Sequence, residues 1–255
     1  MSQHRLGHHD VTAKIGEGTD PTRCSVARCQ VDAETYGRAS DLVVSSEAWT
    51  QSAEGQDQWW QPVVPTGLTE DRWVTGVEIR PSLPGRRIVH HSVVYLQQEE
   101  QPGDHDASVQ VPSQGSYFSE FAVGKIGDVF RENTGKLLKV GSQFSFDIHY
   151  HSVGEAITDS TDVGIWLYPK GYVPKYRVSA QAVGASQSMG VRDIPPGKVT
   201  VHHAYVPLRL PARLENFQPH MHLRGKALSM EAIYPNGRTE MLSHVANFDF
   251  NWHVN

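Results

Sequence analysis

Short apolar runs separated by Gly, Pro, Asn and Asp fill the chain from about residue 41 onward. They include "DLVV", "WWQPVVP", "RWVTGVEIRP", "IVHHSVVYL", "FSFDIHYHSV", "VGIWLYP", "KYRVSAQAV", "VTVHHAYVPL" and "LSMEAIYPNGRTEML". Runs of this length, punctuated by turn residues, predict β-strands and an all-β, sandwich-like fold. "YPNGR" predicts a two-residue hairpin turn, because Asn-Gly accepts positive φ at both central positions. "GDVFRENTGKLLKVG" reads as a short helix or a loop. Residues 1–40 are polar without a sustained period and are expected to form a mobile leader. The pattern loosens near 175–195, which divides the rest into 41–180 and 181–255.

The alternation is sharpest at 144–151. Successive strand side chains point to opposite faces. Phe144, Phe146, Ile148 and Tyr150 therefore share an apolar face, and Ser145, Asp147, His149 and His151 share a polar one. The same reading of 217–224 places Phe217, Met221 and Leu223 on one face and Gln218, His220, His222 and Arg224 on the other. After Gly225 the parity flips to Leu228, Met230 and Ala232, which predicts a bulge at Arg224–Gly225. The strand around "RIVHHSVVY" is apolar on both faces, with Ile88, Val94 and Leu96 on one and Val89, Val93 and Tyr95 on the other. It is expected to be central. Its His90 and His91 are adjacent, so a regular strand would send them apart. Their joint use needs a twist, a bulge or different ring nitrogens.

Composition narrows the field. The chain has 255 residues, 38% hydrophobic and 20% charged, which suits one large or two ordinary globular β domains. The net charge of −5 lacks the basic excess that holds a phosphate backbone, so nucleic acid is not an expected partner. No apolar run reaches the ~18–20 residues of a membrane span. The start, "MSQHRLGHHD", has no apolar segment of the signal-peptide kind. Cys24 and Cys29 lack the C-x-x-C-H haem spacing, and a disulfide, a metal site or no role all remain open for them.

Histidine is the residue in excess, at 14. It is also the commonest metal ligand. Two imidazoles at i and i+2 on one strand face can chelate a single ion, and imidazole suits zinc, copper, nickel or iron. His149 with His151, His220 with His222, and His90 with His91 are the candidates. Histidines that only satisfy a polar sheet surface are the bland alternative. His202–His203 is weaker because no H-x-H pair supports it, and His8–His9 sits in the polar leader. His105, His244 and His253 read as surface or loop residues.

The ordered set "VHHSVVY", "DIHYHSVG" and "PHMHLRGK" resembles the copper type II, ascorbate-dependent monooxygenases, the peptidylglycine and dopamine β-hydroxylating family. The resemblance is to its bacterial branch and covers roughly 41–255. It extends through "VPTGLTEDRWVTGVEIRP", "VGSQFSFDIHYH" with "DSTDVGIWL", and "PHMHLRGKALSMEAIYPNGR" running on to "FDFNW". It implies two packed, jelly-roll-like β-sandwich domains, each holding one copper. In that reading His90, His91 and His149 are the ligands of an electron-supplying copper. His220 and His222 are two ligands of an oxygen-activating copper. The implied activity is hydroxylation of a C–H bond with O2, with ascorbate as reductant and a small molecule or peptide as substrate. A periplasmic or secreted location and a cytochrome c module as companion are further implications.

The sequence departs from the family in several places. The methionine ligand of the oxygen-activating copper has no counterpart, since Met189, Met230 and Met241 fall elsewhere and Met221 has core parity. The second site is therefore expected to be incomplete. Because the sequence stops at "NFDFNWHVN", where the family continues with further strands, the second sandwich is also expected to be incomplete and a C-terminal segment to be missing. His151 is an addition beside His149. From these departures the chain is expected to bind copper with little or no hydroxylation. The rival expectation is a non-catalytic β-sandwich that binds copper or zinc structurally.

Overall fold

The computed structural model describes residues 39–99, 115–122, 125, 127–180, 195–221 and 224–249. The expectations for the leader, Cys24, Cys29, His8, His9, His105, Met189, His222, Leu223 and His253 lie outside them. The described residues are all-β. The strands are β1 Leu42–Ser45, β2 Trp49–Gln51, β3 Gln58–Trp60, β4 Val63–Pro65, β5 Arg72–Arg80, β6 Val89–Gln97, β7 Ser116–Ala122 and β8 Gly127–Val129. After them come β9 Thr134–Leu138, β10 Gln143–Tyr150, β11 Ile157–Asp159, β12 Asp162–Leu167, β13 Tyr176–Arg177, β14 Leu228–Ile233 and β15 Thr239–Val245.

Two sheets share one core. The six-stranded sheet runs β1-β12-β5-β9-β13, with β8 also paired to β5. The five-stranded sheet runs β3-β10-β6-β7, with β4 also paired to β10. Val74, Ile79, Val163 and Ile165 of the first join Val94, Leu96, Phe144, Phe146 and Ile148 of the second in a single cluster of buried side chains. This is the arrangement of a β-sandwich, in which alternate residues of both sheets are removed from water. Phe144, Phe146, Ile148 and Tyr150 are all fully buried, as their parity predicts.

The strand β6 is central, between β10 and β7. Its burial alternates rather than covering both faces: Ser92, Val94 and Leu96 are buried, while Val93 and Tyr95 are half-buried. β3 and β4 pair with different halves of β10, and Pro62 lies between them. Proline has no N–H for a ladder and is confined to edges and breaks. Its carbonyl still accepts from Phe146 N at 2.9 Å.

Four local expectations are corrected. "GDVFRENTGKLLKVG" forms neither a helix nor an open loop: it holds β8, a turn with Asn133 at φ 58, and β9. The "YPNGR" hairpin exists as β14–β15, but its turn is longer than two residues. Gly237 N–H bonds Tyr234 O at 2.9 Å, and Tyr234 N–H bonds Arg238 O at 2.9 Å. Pro235 fixes a negative φ at the first central position of the turn. The left-handed residue is then Gly237 alone, at φ 81.

The third correction concerns 199–208 and 217–221, which were expected to be strands. Neither has regular pairing, and among the described residues beyond 195 only β14 and β15 are strands. Val199, Val201, Tyr205, Leu208 and Leu210 are exposed. An alternating pattern makes a strand only where a neighbour pairs with it and a core receives one face. Arg224 sits in a turn, so the parity change there accompanies a turn and not a bulge within a strand.

Candidate metal centre

The centre is built by one extra residue. Along β6 and β10 the pairing is regular from Gln143↔Gln97 to His149↔His91, and the next pair is Tyr150↔Val89. His90 is thus skipped, and two residues of β6 stand opposite His149. This is a β-bulge, which bends a strand and re-aims its side chains. It resolves the parity problem: adjacent histidines that a regular strand would separate are brought to one side of the sheet.

His90, His91 and His149 each present a ring nitrogen, and these nitrogens all lie within 4.8 Å of one another. The ring centroids are 5.3 Å apart for His90–His91, 5.3 Å for His90–His149 and 5.0 Å for His91–His149. The rings meet edge to face, at interplanar angles of 63° to 69°. His90 Nδ1 and His91 Nδ1 are 3.1 Å apart, close enough to share a hydrogen or a cation.

His149 is 8% exposed. Its Nε2 lies 2.9 Å from Asp57 Oδ2, and a carboxylate can only accept, so Nε2 carries the hydrogen. Its Nδ1 is buried and has no hydrogen-bond partner. Buried polar atoms are nearly always satisfied, and leaving one bare costs about 1–3 kcal/mol. Trp59 pairs with His149 across β3 and β10, and its indole stacks on the imidazole at 4.4 Å and 5°. The outer side of that indole is open, with the residue 56% exposed.

These residues fit a metal ion. Nitrogens bound at about 2.0–2.1 Å to one ion stand roughly 2.9–4.1 Å apart, depending on the bond angle. The His90–His91 separation already falls in that span. Small rotations of His90 and His91, which are half-buried, can draw the third nitrogen in. Three imidazoles leave further coordination positions open, as redox and catalytic sites require and closed structural sites do not.

Other sequence candidates are placed elsewhere. His151 lies outside the three-histidine group found among the described residues. β10 ends at Tyr150, and His151 N–H bonds Ile88 O at 2.9 Å, one step past the last β10–β6 pair, Tyr150↔Val89. His220 is exposed on an irregular segment and lies outside the three-histidine cluster. His202 bonds Thr200 Oγ1 at 3.0 Å. Sequence reasoning missed Asp57 and Trp59. Their one local sign is the polar-then-aromatic "DQWW", in which alternation sends Trp59 outward and Trp60 inward onto Trp49.

The same outer sheet face carries a buried polar group beyond the centre. Glu120 pairs with Val93, and Lys125 Nζ approaches its carboxylate at 3.7 Å and Asp128 at 3.2 Å. Burial pushes the Glu120 carboxyl above the usual range, against the pull of Lys125 and of a hydrogen bond from Gln218. Burial also raises the Tyr117 phenol, reinforced by Glu120 and Asp128. No helix among the described residues is long and apolar enough to cross a membrane. Comparison with protein-family models, curated proteins and solved structures finds no match to this chain.

Proposed function

We propose that the chain is a copper-binding protein of the type II ascorbate-dependent monooxygenase kind, with His90, His91 and His149 holding its electron-handling copper. One observation carries this reading: the ring of His149, whose Nδ1 is buried and unpartnered, converges with two histidines that a bulge brings to the same side of the sheet. Copper held by imidazoles exchanges single electrons as it alternates between Cu(II) and Cu(I). The protein's part is to bind and orient. His149 offers a lone pair at Nδ1, Asp57 takes its other ring hydrogen, and Trp59 covers one ring face. His90 and His91 are half-buried, which leaves the centre within reach of a small reductant such as ascorbate.

The oxygen-activating half of the reading rests on the resemblance alone, through His220 and His222. So do the C–H hydroxylation with O2, the small-molecule or peptide substrate and the cytochrome c companion. The test is metal analysis of the purified chain after growth with copper, followed by anaerobic addition of ascorbate. We expect one tightly held copper that loses its Cu(II) electron-paramagnetic signal on reduction, and little O2 uptake. Bound zinc, or copper that ascorbate leaves oxidised, would establish the non-catalytic rival instead. Substrate-dependent O2 uptake would show that a second site is complete.

A further inference from the structure

We propose that Asp57 is the positioning residue of the centre, fixing His149 as the tautomer whose Nδ1 is the metal donor. Neutral imidazole has one N–H and one lone pair, and the partner of the N–H decides which nitrogen is which. Here the partner is fixed by the fold. Asp57 stands just before β3, two residues from Trp59, and Trp59 is held opposite His149 by the β3–β10 pairing. Trp59 sets the plane of the ring by stacking at 5°, and Asp57 sets its tautomer by accepting from Nε2 at 2.9 Å. The consequence appears on the other side of the ring, where Nδ1 is buried and has no partner of its own. A carboxylate behind an imidazole also raises the donor strength of the opposite nitrogen, and losing such a partner typically weakens metal binding about 10–100-fold. Asp57 is itself half exposed, with its side chain 49% accessible, so its removal leaves no buried void.

The first arm of the test needs no metal. Long-range nitrogen–proton NMR of the metal-free full chain reports the His149 tautomer, with His149→Gln identifying its signals. We expect hydrogen on Nε2 and none on Nδ1 in the wild type. Asp57→Asn should retain this tautomer through its side-chain carbonyl, and Asp57→Ala should mix the two forms at an unchanged thermal midpoint. Hydrogen on Nδ1 in the wild type, or an unchanged tautomer in Asp57→Ala, overturns the proposal. The second arm rests on the copper reading. Copper titration should show Asp57→Ala weakened about 10–100-fold and Asp57→Asn less so. Equal affinity in wild type and Asp57→Ala also overturns it. A wild type with the expected tautomer that takes up no copper refutes the copper reading and leaves the positioning role standing.

Discussion

Tyr150 donates its phenolic hydrogen bond to Asp159 at 3.0 Å, directly beneath the strand end that carries His149. Asp159 also accepts from Ser82 N–H at 2.8 Å, Ser82 Oγ at 2.6 Å and Thr161 Oγ1 at 2.8 Å. The carboxylate is 1% exposed and fully engaged. It ties β10 and β11 to the 3-10 turn Gly85–Arg87, which delivers the chain into β6. Burial, and then the Asp159 charge, push the Tyr150 phenol well above its ordinary range, so it remains a donor at any working pH. Tyr150→Phe should lower unfolding free energy by about 1.5–3 kcal/mol, the usual worth of a hydrogen bond to a charged group. Asp159→Ala should cost more, because several donors lose their acceptor together. Urea denaturation of the metal-free protein measures both, and a Tyr150→Phe midpoint equal to wild type would contradict this account.

Gly85→Ala should destabilise by a different route. A Cβ there would overlap the Asp159 carboxylate and stand 2.7 Å from Ser82 Oγ. Something in the knot must move, and the Arg87–Ile88 entry to the bulge moves with it. The expected result is a lower thermal midpoint together with weakened copper uptake. Normal stability in Gly85→Ala would mean that the turn shifts freely.

Metal loading separates the histidines. His149→Ala, His90→Ala and His91→Ala should each remove about one copper equivalent per chain while the apo fold persists. His151→Ala should keep full loading, because His151 lies outside the three-histidine group. Plasma emission spectrometry of the four purified variants is the measurement. Loss of copper in His151→Ala would place it among the ligands.

Glu120 gives the chain a pH dependence of known sign. Its folded pKa is raised, chiefly by burial, above the ordinary 4.5. The protonated form is therefore favoured by folding. Its contribution is complete below the ordinary value and is lost as pH rises through the raised folded value. Denaturation midpoints measured from acid to neutral pH should fall in that window for the wild type and flatten in Glu120→Gln. A wild-type midpoint rising through the same window would show that other groups dominate.

Much of the sandwich was legible in the sequence because its strands obey period two. Phe144 to Tyr150 show this most plainly, since a buried face repeats every second residue whatever pairs with it. The centre was legible only in part. His149 follows from parity, but His90 with His91 contradicts parity, and the contradiction is resolved by a pairing offset that exists only between two strands. Asp57 and Trp59 were invisible for the same kind of reason. They lie 92 residues from His149 in the case of Asp57, and β3 meets β10 through tertiary pairing alone. The apolar runs at 199–208 misled because alternation records a capacity to pair, and their described surroundings supply no partner strand.

The offset at His90 has a consequence for how the centre can change. Its geometry depends on a count of residues as well as on their identities. Deleting one residue between Val89 and Ser92 would restore a straight ladder and return the remaining histidine to ordinary alternation, even though every retained side chain stays chemically intact. A substitution at His90 removes one donor and leaves the frame in place, whereas a deletion removes the frame. Drift in length along this short stretch is thus the more damaging kind of mutation. A chain one residue shorter here would keep His149 and one of its two partners, yet would have lost both the third donor and the offset that aimed the second.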